Sequence, residues 1–313
     1  MSSPFSAPGC ESAASAYEPL RKQLSKTIKL LEKQDKPPLA WPNLNTALDS
    51  GKGLAIRWVK GANLPLGERV NLWNKSVELL IKALNESTSV TDENDRYIIQ
   101  ARANLWLAKL MQYSQKEELA MVNANLLNKL YLMAGTKDRL TAAESLYAKS
   151  IESFKKVNPA LFDKVINGKS INLYLKMEYA ECYKGIGECL YEKNIKLYYD
   201  SEQYAGKYEE IKKRLEQAKL NFKTADDILK KVNKSKLVNL SSDISGQYRN
   251  IHAGVLISLA DLSMVLDRKI LDYPRAYLKE AVSYNISDVN TKNKLALSRA
   301  AFNICEAEES LRK

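Results

Sequence analysis

From Leu66 onward, apolar residues recur three and four positions apart instead of alternating. Val70, Trp73, Val77, Leu80, Ile81 and Leu84 form one such series; Tyr97, Ile98, Ala101, Leu105, Ala108 and Met111 form the next. This period puts side chains on one side of an α-helix, whereas a strand would need a period of two. A helix is therefore predicted from Leu66 and a second after Thr91, which reads as its N-cap. Further helices are expected over 116–134, closed by Gly135-Thr136-Lys137, and over 138–156, broken by Asn158-Pro159. Others follow over 171–197, 201–232 and 240–269, then a short helix after Pro274 and a last one over 290–312. Upstream, Leu20, Leu24, Ile28 and Leu31 mark a helix over 17–33, preceded by a Ser/Ala/Pro-rich tail, 1–16, expected to be disordered. The Pro- and Gly-containing stretch 37–65 reads as an irregular connector of short pieces, pinned to the core by Trp41 and Trp58.

Short connections between such helices imply antiparallel neighbours. The expected fold is all-α: one elongated helical bundle over 17–313. Residues 142–154 (AAESLYAKSIESF) carry the small/large rhythm of the second helix of a tetratricopeptide (TPR) repeat, and 205–222 carry a looser version. No strict period joins them, so the core is expected to be TPR-like with degenerate repeats. Trp73, Leu105, Trp106, Tyr147 and Ile151 should be mainly buried, and Trp106→Ala should cost about 3–5 kcal/mol if its ring is enclosed.

Composition sharpens the choice of function. Only 12 Gly and 9 Pro occur in 313 residues, which suits long helices. No apolar run approaches the roughly 18–20 residues that cross a bilayer, and the first nine residues do not look like a secretory signal, so a cytoplasmic protein is expected. Cys10, Cys182, Cys189 and Cys305 are too few and too scattered for a disulfide framework or a zinc site and read as reduced residues. His252, the one histidine, has no nearby Ser, Cys or Asp pattern and reads as structural rather than catalytic. Gly185-Ile186-Gly187 lacks the strand and third glycine of a dinucleotide loop, and reads as a place where helices pack closely. No cofactor, no metal and no enzymatic activity are expected.

The net charge of +11 and pI near 9.2 invite an acidic or phosphate-bearing partner. Most of the basic stretch 207–236 is interleaved with acids, as in Glu209–Lys213 and Glu210–Arg214, and reads as a solvated helix face. Its end, with Lys230, Lys231, Lys234 and Lys236, lacks acidic companions and is the candidate contact for an acidic group or an anionic membrane surface. Nothing resembles a nucleic-acid-binding motif, and no nucleic acid is expected as a partner. Tyrosine is frequent, 17 against 5 Phe, and crowds the stretch 171–208. Tyr174, Met177, Tyr183 and Tyr191 are the candidate partner-binding residues there, since tyrosine pairs an apolar body with a polar tip.

Residues 204–219 (YAGKYEEIKKRLEQAK) resemble a phrase of Bro-one domains, in which an aromatic residue near a glycine precedes Glu-Glu-Ile, a basic residue, Leu and Ala. The Ala/Lys-rich stretch 224–236 and the long helical stretches 140–156 and 173–193 are similar to that family too, so the resemblance spans roughly 66–270. It implies a boomerang-shaped α-helical domain around a TPR-like core, without enzymatic activity. It also implies docking onto the C-terminal amphipathic helix of the filament-forming ESCRT-III subunit, at endosomes or in fungal pH signalling. A generic TPR-like scaffold inside a larger complex, and a peripheral binder of anionic membrane, are the alternatives.

Overall fold

The computed structural model describes residues 45–61, 63–163, 165–166, 169–200, 205–232, 242–267 and 270–312. The predicted tail, 1–16, and the predicted helix, 17–33, lie outside them, as does Trp41. The unit Asn43–Lys313 is all-α. Its helices are α1 (Thr46–Lys60), α2 (Leu66–Ser87), α3 (Glu93–Tyr113), α4 (Lys116–Met121), α5 (Ala124–Ala134) and α6 (Arg139–Lys156). They continue with α7 (Ile171–Tyr199), α8 (Tyr208–Lys230), α9 (Ser242–Leu266), α10 (Asp272–Ser283) and α11 (Val289–Arg312). Among the described residues the only sheet is a two-residue antiparallel ladder, Val165–Ile166 with Lys169–Ser170, between α6 and α7.

Local chemistry sets most boundaries. Asp138 caps α6 by accepting from the Thr141 amide at 2.8 Å. Gly135 ends α5 at φ +74°, a left-handed conformation that costs glycine little. Four expectations need correction. Asp92, not Thr91, caps α3: its carboxylate accepts from the Asp95 amide at 2.9 Å. The helix expected over 116–134 is two, because Val122 is extended and Asn123 starts α5, its side chain capping Asn125 while its own amide donates to Asn74 of α2 at 2.8 Å. The last helix pair holds its expected place, but α10 begins before Pro274, which sits in the first turn where a missing N–H costs nothing.

The fourth correction is the largest. The supposed connector 37–65 contains a regular 15-residue helix, α1, with Asn45 as its N-cap. Its buried face is Ala47, Leu48, Gly51, Lys52, Ala55 and Trp58. A glycine and a lysine interrupt that face in sequence but not in space. Gly51 lies against α2 so closely that a Cβ would stand 3.0 Å from Leu80 Cγ.

The helices pack in a regular succession. α2 packs between α1 and α3, α3 chiefly against α6, α6 against α7, α7 against α8, α8 against α9, and α9 against α10 and α11. Contacts also skip one helix, from α1 to α3, α3 to α7, α7 to α9 and α9 to α11. Those five helices therefore form one row, and α2, α6, α8 and α10 form the other. The expected core residues are buried: Trp73 and Leu105 fully, Tyr147, Ile151 and Trp106 nearly so.

The two glycines of α7 are packing sites, as their sequence context suggested. At Gly185 the Tyr147 ring of α6 occupies the space of a Cβ, and at Gly187 a Cβ would lie 2.9 Å from Phe222 of α8. Because Tyr147 is 1% exposed and its hydroxyl is tied to Gln112, its ring has little room to retreat. Gly185→Ala should therefore destabilise the chain by about 1–3 kcal/mol through overpacking. Urea unfolding measures this, and an unchanged midpoint would show that the ring yields freely.

Candidate functional site

The row α1, α3, α7, α9 and α11 walls a groove of about 490 Å³. Trp58 of α1 and Trp106 of α3 stand at one end, and Asn250, Gly254, Thr291 and Lys294 of α9 and α11 at the other. Arg69 lies over the Trp58 ring, 4.8 Å from its centroid, and Lys109 over Trp106 at 4.3 Å. Such stacking keeps aromatic walls in place while leaving charge at the surface. The indole N–H groups of both tryptophans are buried without an acceptor, unlike that of Trp73, which donates to Ser114 Oγ at 3.0 Å. A second cavity, about 350 Å³, adjoins the first and shares Tyr113, Glu188 and Lys294 with it.

The wall between α3 and α7 is held by polar rungs. Arg102 binds Glu178 with two nitrogens, at 2.8 and 3.0 Å, and Lys52 of α1 reaches the same carboxylate at 2.7 Å. Lys109 pairs with Glu181 at 2.8 Å. Lys184 pairs with Glu188 at 2.8 Å, while Gln112 and Tyr113 donate to Glu188 at 3.0 Å. Burial disfavours charge on Glu178, yet Arg102 and Lys52 outweigh it and bring its carboxyl down to about 2. Glu188 is likewise held at about 2 against its burial, by Lys184 and Lys294. Asp261, in the second cavity, goes the other way: burial raises it. These pairings hold the wall rigid and leave the carboxylates engaged with the protein itself.

The sequence-predicted residues are not gathered into one patch. Met177 is 3% exposed, so it belongs to the core and is corrected as a surface candidate. Tyr174 and Tyr183, nine residues apart on α7, project about 180° from each other. Tyr183 meets Tyr179 hydroxyl to hydroxyl at 3.3 Å. Tyr191 lines the smaller of the two cavities described above. The lysine cluster also changes. Lys230 is not without an acidic companion: it pairs with Asp226 one turn earlier, at 2.6 Å. Lys231 is exposed, and Lys234 and Lys236 lie outside the described residues.

His252 lies in a setting the sequence did not display. It is fully buried, with Nε2 2.7 Å from Asp226 Oδ1 and Nδ1 2.9 Å from the Tyr284 hydroxyl and 3.1 Å from that of Tyr248. A carboxylate only accepts, so Nε2 carries the hydrogen and Nδ1 is left for the tyrosines. Asp226 is lowered although burial opposes it, through hydrogen bonds from His252 and Lys230. The set ties α8, α9 and α10 together, and neither cavity reaches it. Cys182 and Cys189 are buried and free, and burial pushes both thiols up, which disfavours the reactive thiolate. Among the described residues, no group of three or more His, Cys, Asp or Glu is placed to hold a metal ion. No described helix is long and apolar enough to cross a membrane.

Comparison with protein-family models, with curated proteins and with solved structures finds no match for this chain.

Proposed function

We propose that this chain is a non-enzymatic, protein-binding adaptor that receives a helical segment of a partner in the groove along α1, α3, α7, α9 and α11. The observation that carries the reading is the groove itself: five helices supply its wall, two tryptophans with unmatched N–H donors stand at one end, and ion pairs fix its shape. A surface of that kind suits helix-in-groove recognition, where a few apolar anchors carry most of the energy. The two-row succession of helices is what a TPR-like core with degenerate repeats would have. The resemblance to Bro-one domains narrows the partner to the C-terminal amphipathic helix of an ESCRT-III filament subunit, with recruitment to endosomes.

Titration of the chain with that helix, followed by calorimetry, should give binding in the micromolar range, about −8 kcal/mol. Val59 is 42% exposed at the groove lip, so Val59→Asp should weaken binding at least about tenfold without unfolding the chain. Tyr183→Ala, outside the groove, should leave it unchanged. The reverse pattern would move the docking site to the tyrosine face of α7. No binding at high peptide concentration would leave a scaffold subunit with a different partner. Raising the salt should weaken binding only modestly; binding that collapses with salt would favour an anionic membrane surface instead.

A further inference from the structure

We propose that the smaller cavity is a binding site for an organic cation, a primary ammonium group on a short apolar stem. Its lining comes from α3, α7, α8, α9 and α11, and its volume is about 350 Å³. A cavity of roughly 150 Å³ already holds a ring such as benzene. Tyr113, Tyr191, Ile195 and Phe222 supply the apolar lining. The charged lining is three carboxylates, Glu188, Glu192 and Asp261, and one ammonium, Lys294. Most of these charges are spent inside the fold. Glu188 takes Lys184, Gln112 and Tyr113. Glu192 pairs with Arg139 at 2.7 Å. Lys294 donates to the Ser258 hydroxyl at 2.9 Å, and its charge offsets Glu188.

Asp261 is the exception. Among the described residues it makes no ion pair. Ser298 hydrogen-bonds to it, and the Lys294 charge acts on it without contact. Burial raises its carboxyl, and those two groups together do not bring it back. Tyr191 is raised to about 12, first by burial and next by the charge of Asp261, which lines the same space. A carboxylate held partly out of water without a counter-ion is stabilised most by a cation brought from outside. The rings beside it favour the same sign, because aromatic faces carry negative charge density. An anion would meet three carboxylates there. A neutral apolar guest would leave the Asp261 charge desolvated and unmatched. An alkylammonium satisfies both parts of the lining, with its head at Asp261 and its stem along Phe222 and Ile195. The inference does not depend on what occupies the larger groove.

Calorimetric titration of the full chain near neutral pH tests it. n-Pentylamine should bind at one saturable site with a Kd of about 1 mM, which is what so small a ligand can reach. 1-Pentanol and valerate keep the stem with a neutral or negative head, and should bind at least about tenfold more weakly. Asp261→Asn should weaken n-pentylamine at least about tenfold as well, and Tyr191→Leu about two- to fivefold. The urea midpoint of each variant reports that it is folded, and the ligand series on the native chain needs no variant. Equal binding of 1-pentanol would show a merely apolar hollow and overturn the proposal. So would the absence of saturable amine binding up to roughly twenty times the expected Kd, or an Asp261→Asn chain that binds the amine as the native chain does. Val59 lines the larger groove but not this cavity. Val59→Asp should therefore leave amine binding unchanged, so that this reading and the docking of a helix fail separately. A loss there equal to that in Asp261→Asn would place the amine in the groove and overturn the assignment. Nα-acetyl-lysine methylamide carries a similar head and stem on a peptide unit. If it binds as tightly as the free amine, the cation is a basic side chain of a docked protein segment; if the free amine alone binds, it is a small molecule, and either result supports the cation site.

Discussion

Glu178→Ala should be among the most damaging single substitutions in the described fold, with an expected loss of about 3–5 kcal/mol in urea unfolding. The cause is what it leaves behind. Lys52 and Arg102 are both buried, at 8% exposure each, and Glu178 is the acceptor for both. Without the carboxylate, two buried cations from α1 and α3 face each other beside α7, with Asp49 left as an acid that acts on both. The triple substitution Lys52→Met, Arg102→Met, Glu178→Leu should recover much of the loss, since a buried ion cluster replaced by apolar side chains of similar volume is often close to neutral. A triple variant as unstable as Glu178→Ala would show that the pairing itself, and not the orphaned charge, carries the stability.

The same residue sets a pH dependence. Its folded value is about 2, below the ordinary 4.5. For a group lowered on folding, the contribution to stability is complete above the unfolded value and is lost as pH falls through the folded one. The urea midpoint of the native chain should thus decline from about pH 4.5 toward pH 2. In Glu178→Gln the decline should be shallower but not absent, because Glu188 is held at about 2 in the same way. An identical slope in the variant would show that Glu178 is not held low in the fold.

Trp73→Ala should cost a comparable amount, about 3–5 kcal/mol. The ring is fully enclosed between α2 and α3, and its N–H donates to Ser114 Oγ at 3.0 Å. Truncation opens a cavity between α2 and α3 and removes a partner from a buried hydroxyl. Trp73→Phe keeps most of the ring volume and should lose well under half as much. A loss below about 1 kcal/mol for Trp73→Ala would mean that the neighbouring side chains collapse into the space.

What could be read along the chain is what depends on neighbours in sequence. The 3.6-residue period of Val70 to Leu84 and of Ile98 to Met111 fixes two helices, because a helix repeats its own geometry; it does not show that α3 is buried on every side, without a break from Ala101 to Ala108. Gly135 and Asp138 mark a stop and a start by bonds made within a few residues. Gly185 and Gly187 announced close packing, though not that Tyr147 and Phe222 would be the partners.

The fold alone decided the rest, because the deciding partners are distant. Helix α1 hid behind Gly51 and Lys52, which look like a breaker and a surface residue until Leu80 and Glu178 are brought against them. Glu178 meets Lys52 across 126 positions and Arg102 across 76. Asp226 lies 26 residues from His252, so no local motif joins them, and the same carboxylate removes Lys230 from the set of uncommitted lysines. The periodicity of a helix is a property of consecutive residues, and so the sequence determines an all-α chain. Which charges are paired, and where a groove opens between α1, α3, α7, α9 and α11, follows from how helices far apart in the chain come to lie side by side.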